Sequence, residues 1–435
     1  MSESVLPLAM AALTIGGILA GYRVGMVLAG AAAIFILVSD LPVTFFNLLT
    51  SRIYANVLSN WLLVAIPMFI FMGLVLETSG VAERSLRAAQ KALGGSAAGM
   101  GVSVLVIGVL LAASSGIVGA SVVLLALLAL PRLSEAGYDN ATSAGLIVAS
   151  GTLAILIPPS VMLIVLGDQL QTPVPSMFAG AIGPGLLLVC CYAGLVFWRA
   201  RGLPALPRTE RTPIWRLALD LGPLLFLVIS VLGSIIAGIA TPTEASGLGA
   251  FGALLITVVY RCFSVSMMLE AARQTVVTTS LVLFVMIGAT CFAAVFKGIG
   301  GNDLVEAGVT IFGDAPYTVL FVVMAAIFVL GFVLDWLEIT LILLPIFAPI
   351  VAGLDFGNGL SGEALLVWFG ILVAVNLQTS FLTPPFGFSL FYLRGAAKDK
   401  LTTTEIYRGV LPFIVLQLLV LALLILFPGL ITGLT

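Results

Sequence analysis

The sequence predicts an all-α polytopic membrane protein made of inverted repeats, each with a re-entrant helical hairpin and a helix broken at Pro-Pro. Three observations carry that reading. Hydrophobic residues fill 61% of the 435 positions and charged residues only 9%, a balance that belongs in lipid and not in a water-soluble domain. The apolar runs are long and closely spaced, and at roughly 20 residues per crossing the chain has room for about ten to twelve crossings. Two of those runs are interrupted, at Pro158-Pro159 and Pro384-Pro385, 226 positions apart (158 to 384).

Residues 1–60 read as N-terminal scaffold helices. Their first apolar run, Leu6 to Ala20, has no basic region before it and no small-residue cleavage site, so it reads as a retained crossing. The first repeat covers 61–198, with a hairpin at 97–130 and a broken helix at 142–178. The segment 199–216 holds Arg199, Arg201, Arg208, Arg211 and Arg216 among prolines; short basic loops stay inside, which makes it a cytoplasmic linker. Scaffold helices follow over 217–275. The second repeat covers 276–435, with a hairpin at 316–351 and a broken helix at 364–395. The amphipathic pieces 80–95 and 262–275 read as interfacial. Counting crossings from the linker puts Arg23, Arg84 to Lys91, Arg132, Arg261 to Arg273 and Lys398 to Arg408 on the cytoplasmic side. The segments 300–303 and 355–363 then fall outside. The count closes only if each hairpin enters and leaves on one face. Gly80 and Gly300, each following the crossing ahead of its hairpin, add a second repeat offset of 220 (80 to 300). Inverted repeats with interrupted helices point to a secondary transporter with its site near the bilayer midplane.

Composition excludes several functions. The chain has no His, which removes His-ligated metal and Ser-His chemistry. Its 18 basic and 20 acidic residues form no excess that suggests nucleic acid. Cys190, Cys191, Cys262 and Cys291 lack zinc-type spacing and read as reduced, packed thiols. No cofactor is expected.

The chemistry concentrates at the breaks and the hairpin tips. Each Pro-Pro removes backbone donors and leaves free carbonyls at membrane depth, where irregular backbone needs protein or a polar cavity around it. The first tip, AASSGIVGAS, holds Ser114, Ser115 and Gly116; such small residues also serve close helix packing. The second, FVLDWLEITL, holds Asp335 and Glu338, carboxylates that need a cavity, a partner or an ion. Ser160 follows the first break, and Asn376, Gln378, Thr379, Ser380 and Thr383 precede the second. Thr241 to Glu244 is a capping box and Asp139 an N-cap. Lys297 and Arg394 stand near crossing ends, where snorkelling is the ordinary reading, and Arg394 is also placed to meet a carboxylate leaving toward the cytoplasm. A channel would need a continuous polar lining, and an intramembrane enzyme would need a nucleophile-base pair that the sequence lacks.

WLLVAIPMFIFMGLVLETSG at 61–80, GYDNATSAG at 137–145, GTLAILIPPS at 151–160, GIATPTEASGLGA at 238–250, LDWLEIT at 334–340 and NLQTSFLTPPFGFSLFYLRG at 376–395 together resemble the large membrane subunit of TRAP transporters over nearly the whole chain. The resemblance implies an elevator-type carrier in the bacterial inner membrane, coupled to Na⁺ and taking up a small organic acid. It further implies a small four-helix membrane subunit and a periplasmic substrate-binding protein as partners. Carried over by position, one sodium site falls at Ser115 with the backbone around Ala154, Ile157 and Pro159. The other falls at Asp335, with Glu338 as its rival, and the groups around Ser380 and Thr383. Ser114, Gly116, Ser160, Asn376, Thr379 and Arg394 become the expected substrate contacts. Where many members read Ser-Gly-Ser-Ser, this chain has Ser115-Gly116-Ile117-Val118, and Ala154 replaces the usual glycine before the first Pro-Pro. The LDWLEIT and FYLRG segments resemble the branch labelled for mannitol or chloroaromatic compounds, whose binding proteins take 2-oxo acids or lactate. The alternative is an ion or anion transporter of a related two-hairpin elevator fold that works without a binding protein.

Overall fold

The computed structural model describes residues 5–39, 41–42, 44–93, 95–115, 118–204, 214–311 and 315–433, and all regular structure among them is helical. Val5–Leu19 (α1), Val24–Val38 (α2) and Phe45–Ile53 (α3) lead through a π-turn at Tyr54–Leu58 to Ala65–Thr78 (α4) and the amphipathic Val81–Leu93 (α5). Ala97–Ser115 (α6) and Val118–Glu135 (α7) pack as a pair, followed by Asn140–Thr152 (α8), Val161–Leu170 (α9) and Val174–Arg199 (α10). Ile214–Ile236 (α11) and Pro242–Val259 (α12) come next. Val265–Gly298 (α13), Gly301–Thr310 (α14), the pair Pro316–Leu330 (α15) and Trp336–Ala352 (α16), then Gly362–Leu382 (α17), Phe388–Ala397 (α18) and Thr403–Leu426 (α19) repeat the order of α4 to α10. A short Gly429–Thr432 (α20) closes the described chain. Eight of the described helices are long and apolar enough to cross a bilayer, so the chain is a multi-pass membrane protein.

The structure differs from the sequence-based boundaries in three places. Residues 262–275 do not form a separate interfacial piece: from Val265 they are the first turns of α13, which runs 34 residues to Gly298 because no proline interrupts it. The boundary expected at 275 therefore falls inside one helix. The first broken helix ends at Leu170 and not at 178, since Gln171 turns left-handed (φ 54°) and Pro173 precedes the start of α10. The first hairpin continues to Glu135. Half of the linker, 205–213, lies outside the described residues.

Gly80 (φ +76°) and Gly300 (φ +86°) make the same left-handed turn, between α4 and α5 and between α13 and α14, a backbone state that glycine adopts at no steric cost. The two halves interlock: α7 packs on α18, and α16 packs on α9. Elsewhere backbones touch through glycine. A Cβ on Gly145 would lie 2.0 Å from Gly409 O, and one on Gly409 would lie 1.9 Å from Ala141 O, which fixes α8 against α19. Close backbone approach of this kind substitutes for the hydrophobic drive that lipid does not provide. α17 is buried along almost its whole length, which places its polar residues inside protein.

Candidate functional site at the two helix breaks

α8 gives way to a 3-10 turn at Leu153–Ile155 and irregular chain through Pro158-Pro159. Ala154, Pro159 and Ser160 are buried and Ile157 is half-buried. Ser160 Oγ donates to Ile155 O at 2.9 Å. Among the described residues no hydrogen bond reaches the carbonyls of Ile157 or Pro159. α9 then starts with no side-chain cap, and its first N–H groups, on buried Val161, Met162 and Leu163, are the orphan donors of any helix start.

At the second break, Thr383 N–H donates to Ser380 O at 3.0 Å and Thr383 Oγ1 to Thr379 O at 2.7 Å. Tyr407 Oη donates to Pro385 O at 3.1 Å. α18 also starts without a side-chain cap. Both Pro-Pro bonds are cis. Asn376 Nδ2 donates to Met324 O at 2.8 Å and Ser380 Oγ to Phe328 O at 2.9 Å, so residues one turn apart on α17 meet carbonyls one turn apart on α15. Gly331 lets this happen, since a Cβ there would lie 2.5 Å from Ser380 Oγ.

Asp335 and Glu338, read from sequence as an ion-seeking pair, are engaged with backbone. Asp335 is the N-cap of α16 and accepts from Trp336 N at 2.8 Å, while a Glu338 oxygen accepts from Asp335 N at 2.5 Å. This is a reciprocal capping box. The Asp-x-x-Glu spacing ahead of an apolar run carries that signal, as Thr402-x-x-Glu405 does at the start of α19. An ionised carboxylate has about four lone-pair sites, so the box still leaves oxygens free for an ion.

The two breaks meet. Gln378 Nε2, on α17, donates to Thr152 Oγ1, at the end of α8, at 3.5 Å. Gln378 Oε1, Ser150 Oγ and Ser389 Oγ are buried without a hydrogen-bond partner among the described residues, and such atoms call for an explanation. Ser160 and Thr379 spend their hydroxyl hydrogens on Ile155 O and Val375 O, so what they leave exposed to a ligand is oxygen lone pairs. That suits a hard cation better than a carboxylate. Ser114 and Ser115 end α6 with side chains outside the description, and Gly116 lies outside the described residues. Arg394 does not join the others: it is exposed and donates to the Thr403 hydroxyl, because α18 carries it away from the buried break.

The family model of the tripartite ATP-independent periplasmic transporter, DctM component, matches residues 9–430. The chain belongs to this family. As a DctM component it is 29% identical over 433 residues to the 2,3-diketo-L-gulonate TRAP transporter large permease protein YiaN of Escherichia coli, covering 96% of each chain. It is 30% identical over 385 residues to the C4-dicarboxylate TRAP transporter large permease protein DctM of Pseudomonas aeruginosa, covering 85% of each. These relatives are transporter permeases and not enzymes. The crystal structure of the Alcanivorax borkumensis YdaH transporter shares the fold, with a TM-score of 0.65 at 16% identity over 91% of this chain and 90% of that one.

Proposed function

We propose that this DctM-family chain is the translocating subunit of a Na⁺-coupled, secondary active uptake system for a small organic acid in the bacterial inner membrane. The observation that carries this reading is the meeting of two broken helices at Gln378 and Thr152, each followed by a half-helix with an uncapped N-terminus. Discontinuous helices of this kind present N-termini to anionic groups and carbonyl oxygens to Na⁺. In this reading the oxygens around Ala154, Ile157 and Pro159, with Ser115, hold one sodium ion. Asp335, with Glu338 beside it, and the groups around Ser380 and Thr383 hold the other. The substrate carboxylate then meets the N–H groups that open α9 and α18, near Ser114, Gly116, Ser160, Asn376 and Thr379. The re-entrant hairpins and both breaks move together against the remaining helices as an elevator. Both relatives named above carry organic acids in their names, which supports a carboxylate as cargo.

A small four-helix membrane subunit and a periplasmic binding protein complete the system. The test is uptake of labelled organic acids into proteoliposomes holding this chain. Uptake is expected only with an inward Na⁺ gradient, the small subunit and the loaded binding protein together. Equal uptake by this chain alone would favour a carrier that works without a binding protein.

A further inference from the structure

The chain has eighteen basic residues; the orientation counted from the linker assigns fifteen of them to the cytoplasmic side, and Arg394 stands toward the same side. The two left over are Arg52 and Lys297. Positive charge outside runs against the bias that orients membrane proteins, so its placement asks for a reason. These two residues lie 245 positions apart (52 to 297), in the last turns of α3 and α13. The fold brings both into the lining of one cavity of about 150 Å³, together with Asn56, Gln169, Thr290 and Pro345. No carboxylate is among the described residues that line it. Neither cation forms an ion pair among the described residues. Asp168, next to Gln169 in the chain, instead accepts from Asn60 Nδ2 at 2.7 Å and Gln169 Nε2 at 2.9 Å. Two like charges facing one small space repel, and a bound anion reverses the sign of that interaction.

We propose that this cavity binds the carboxylate of a small organic acid on the periplasmic side, with Arg52 and Lys297 as its charged ligands. The proposal deepens the transport reading and rests on it for the side of the membrane. The cations come from α3 and α13, whereas Gln169 and Pro345 come from α9 and α16, the elements that carry the first break and the second hairpin. An acid held there sits on the seam between them. A cationic mouth also raises the local concentration of anions.

The test uses the complete complex in proteoliposomes, with the native thiols removed and Asn56→Cys introduced; among the described residues the side-chain hydrogen bond at Asn56 is the one its backbone carbonyl accepts from Asn60 Nδ2. Modification by the anionic sulfonatoethyl methanethiosulfonate is compared with that by the cationic trimethylammonioethyl reagent, each relative to a free thiol. The anionic reagent is expected to be favoured about 10-fold. Arg52→Gln with Lys297→Gln should abolish the preference, and Arg52→Lys alone should keep it. Lactate should slow modification, its uncharged amide should not, and the half-protecting lactate concentration should rise about 10-fold in the double variant. An unchanged preference after both charges are removed, or equal effects of lactate and lactamide, nil included, overturns the site. Anion preference and lactate protection without uptake of any acid would instead sink the transport reading and leave the site standing.

Discussion

Gln378 and Thr152, joined by a hydrogen bond from Nε2 to Oγ1, stand 226 positions apart, the same separation as Pro158 from Pro384. The contact therefore links equivalent positions of the two halves. Gln417 Nε2 donates to Tyr192 Oη at 2.8 Å over 225 positions, one residue off that register.

Gln378→Leu and Thr152→Val are expected to lower uptake at least about 10-fold each, because they remove the polar link between the breaks. In a double-mutant cycle of unfolding in detergent the pair should show a coupling of about 0.5–1 kcal/mol. Strict additivity would mean that the two residues do not act together.

The capping box separates stability from ion binding. Asp335→Ala should cost about 1 kcal/mol through loss of the N-cap, and Asp335→Asn much less, since Asn caps as well as Asp. Thermal melts in detergent check this. In a sodium titration of uptake, Asp335→Asn should raise the half-maximal concentration. If it leaves that value unchanged while Glu338→Gln abolishes the dependence, the ion belongs to Glu338.

Glycine contacts make a sharper structural test. Gly409→Ala places a methyl 1.9 Å from Ala141 O and should cost about 1–3 kcal/mol by overpacking α8 against α19. Gly194→Ala, with nothing within 4 Å of the added carbon, should be neutral or stabilising by up to about 1 kcal/mol. Equal melting points for the two variants would contradict the packing described.

The orientation is testable with single cysteines in a thiol-free chain. Ser134→Cys and Arg408→Cys should resist an impermeant reagent added outside whole cells, and Asn302→Cys should react. The hydrogen bond from Asn140 Nδ2 to Glu405 Oε1 at 2.9 Å ties the 132–140 loop to the start of α19, so both must lie on one side. Outside labelling of Ser134→Cys would break the proposed inversion.

The Pro-Pro pairs, the glycine turns at Gly80 and Gly300, and the caps at Asp139 and Thr241 are legible in the sequence because they are local events, set by which backbone states a residue allows and which donors it lacks. The uninterrupted α13 is harder to read. Glu270 and Arg273 suggest an interface, although charge does not end a helix where no proline or turn intervenes. The Asp335 box is written in the Asp-x-x-Glu spacing, but two carboxylates in an apolar run suggest an ion before they suggest a cap.

The apolar run lengths, the two breaks and the lopsided placement of Lys and Arg determined by themselves a many-helix membrane chain with paired interruptions, since each follows from composition over a few turns. Only the tertiary structure decided that Gln378 meets Thr152, that Ser380 reaches Phe328 O, and that Arg52 and Lys297 share a cavity. In lipid the outward face of a helix is as apolar as the inward one, so hydropathy carries no signal for which face packs on which partner. That choice is made by shape and by a few buried polar contacts between residues far apart in the chain.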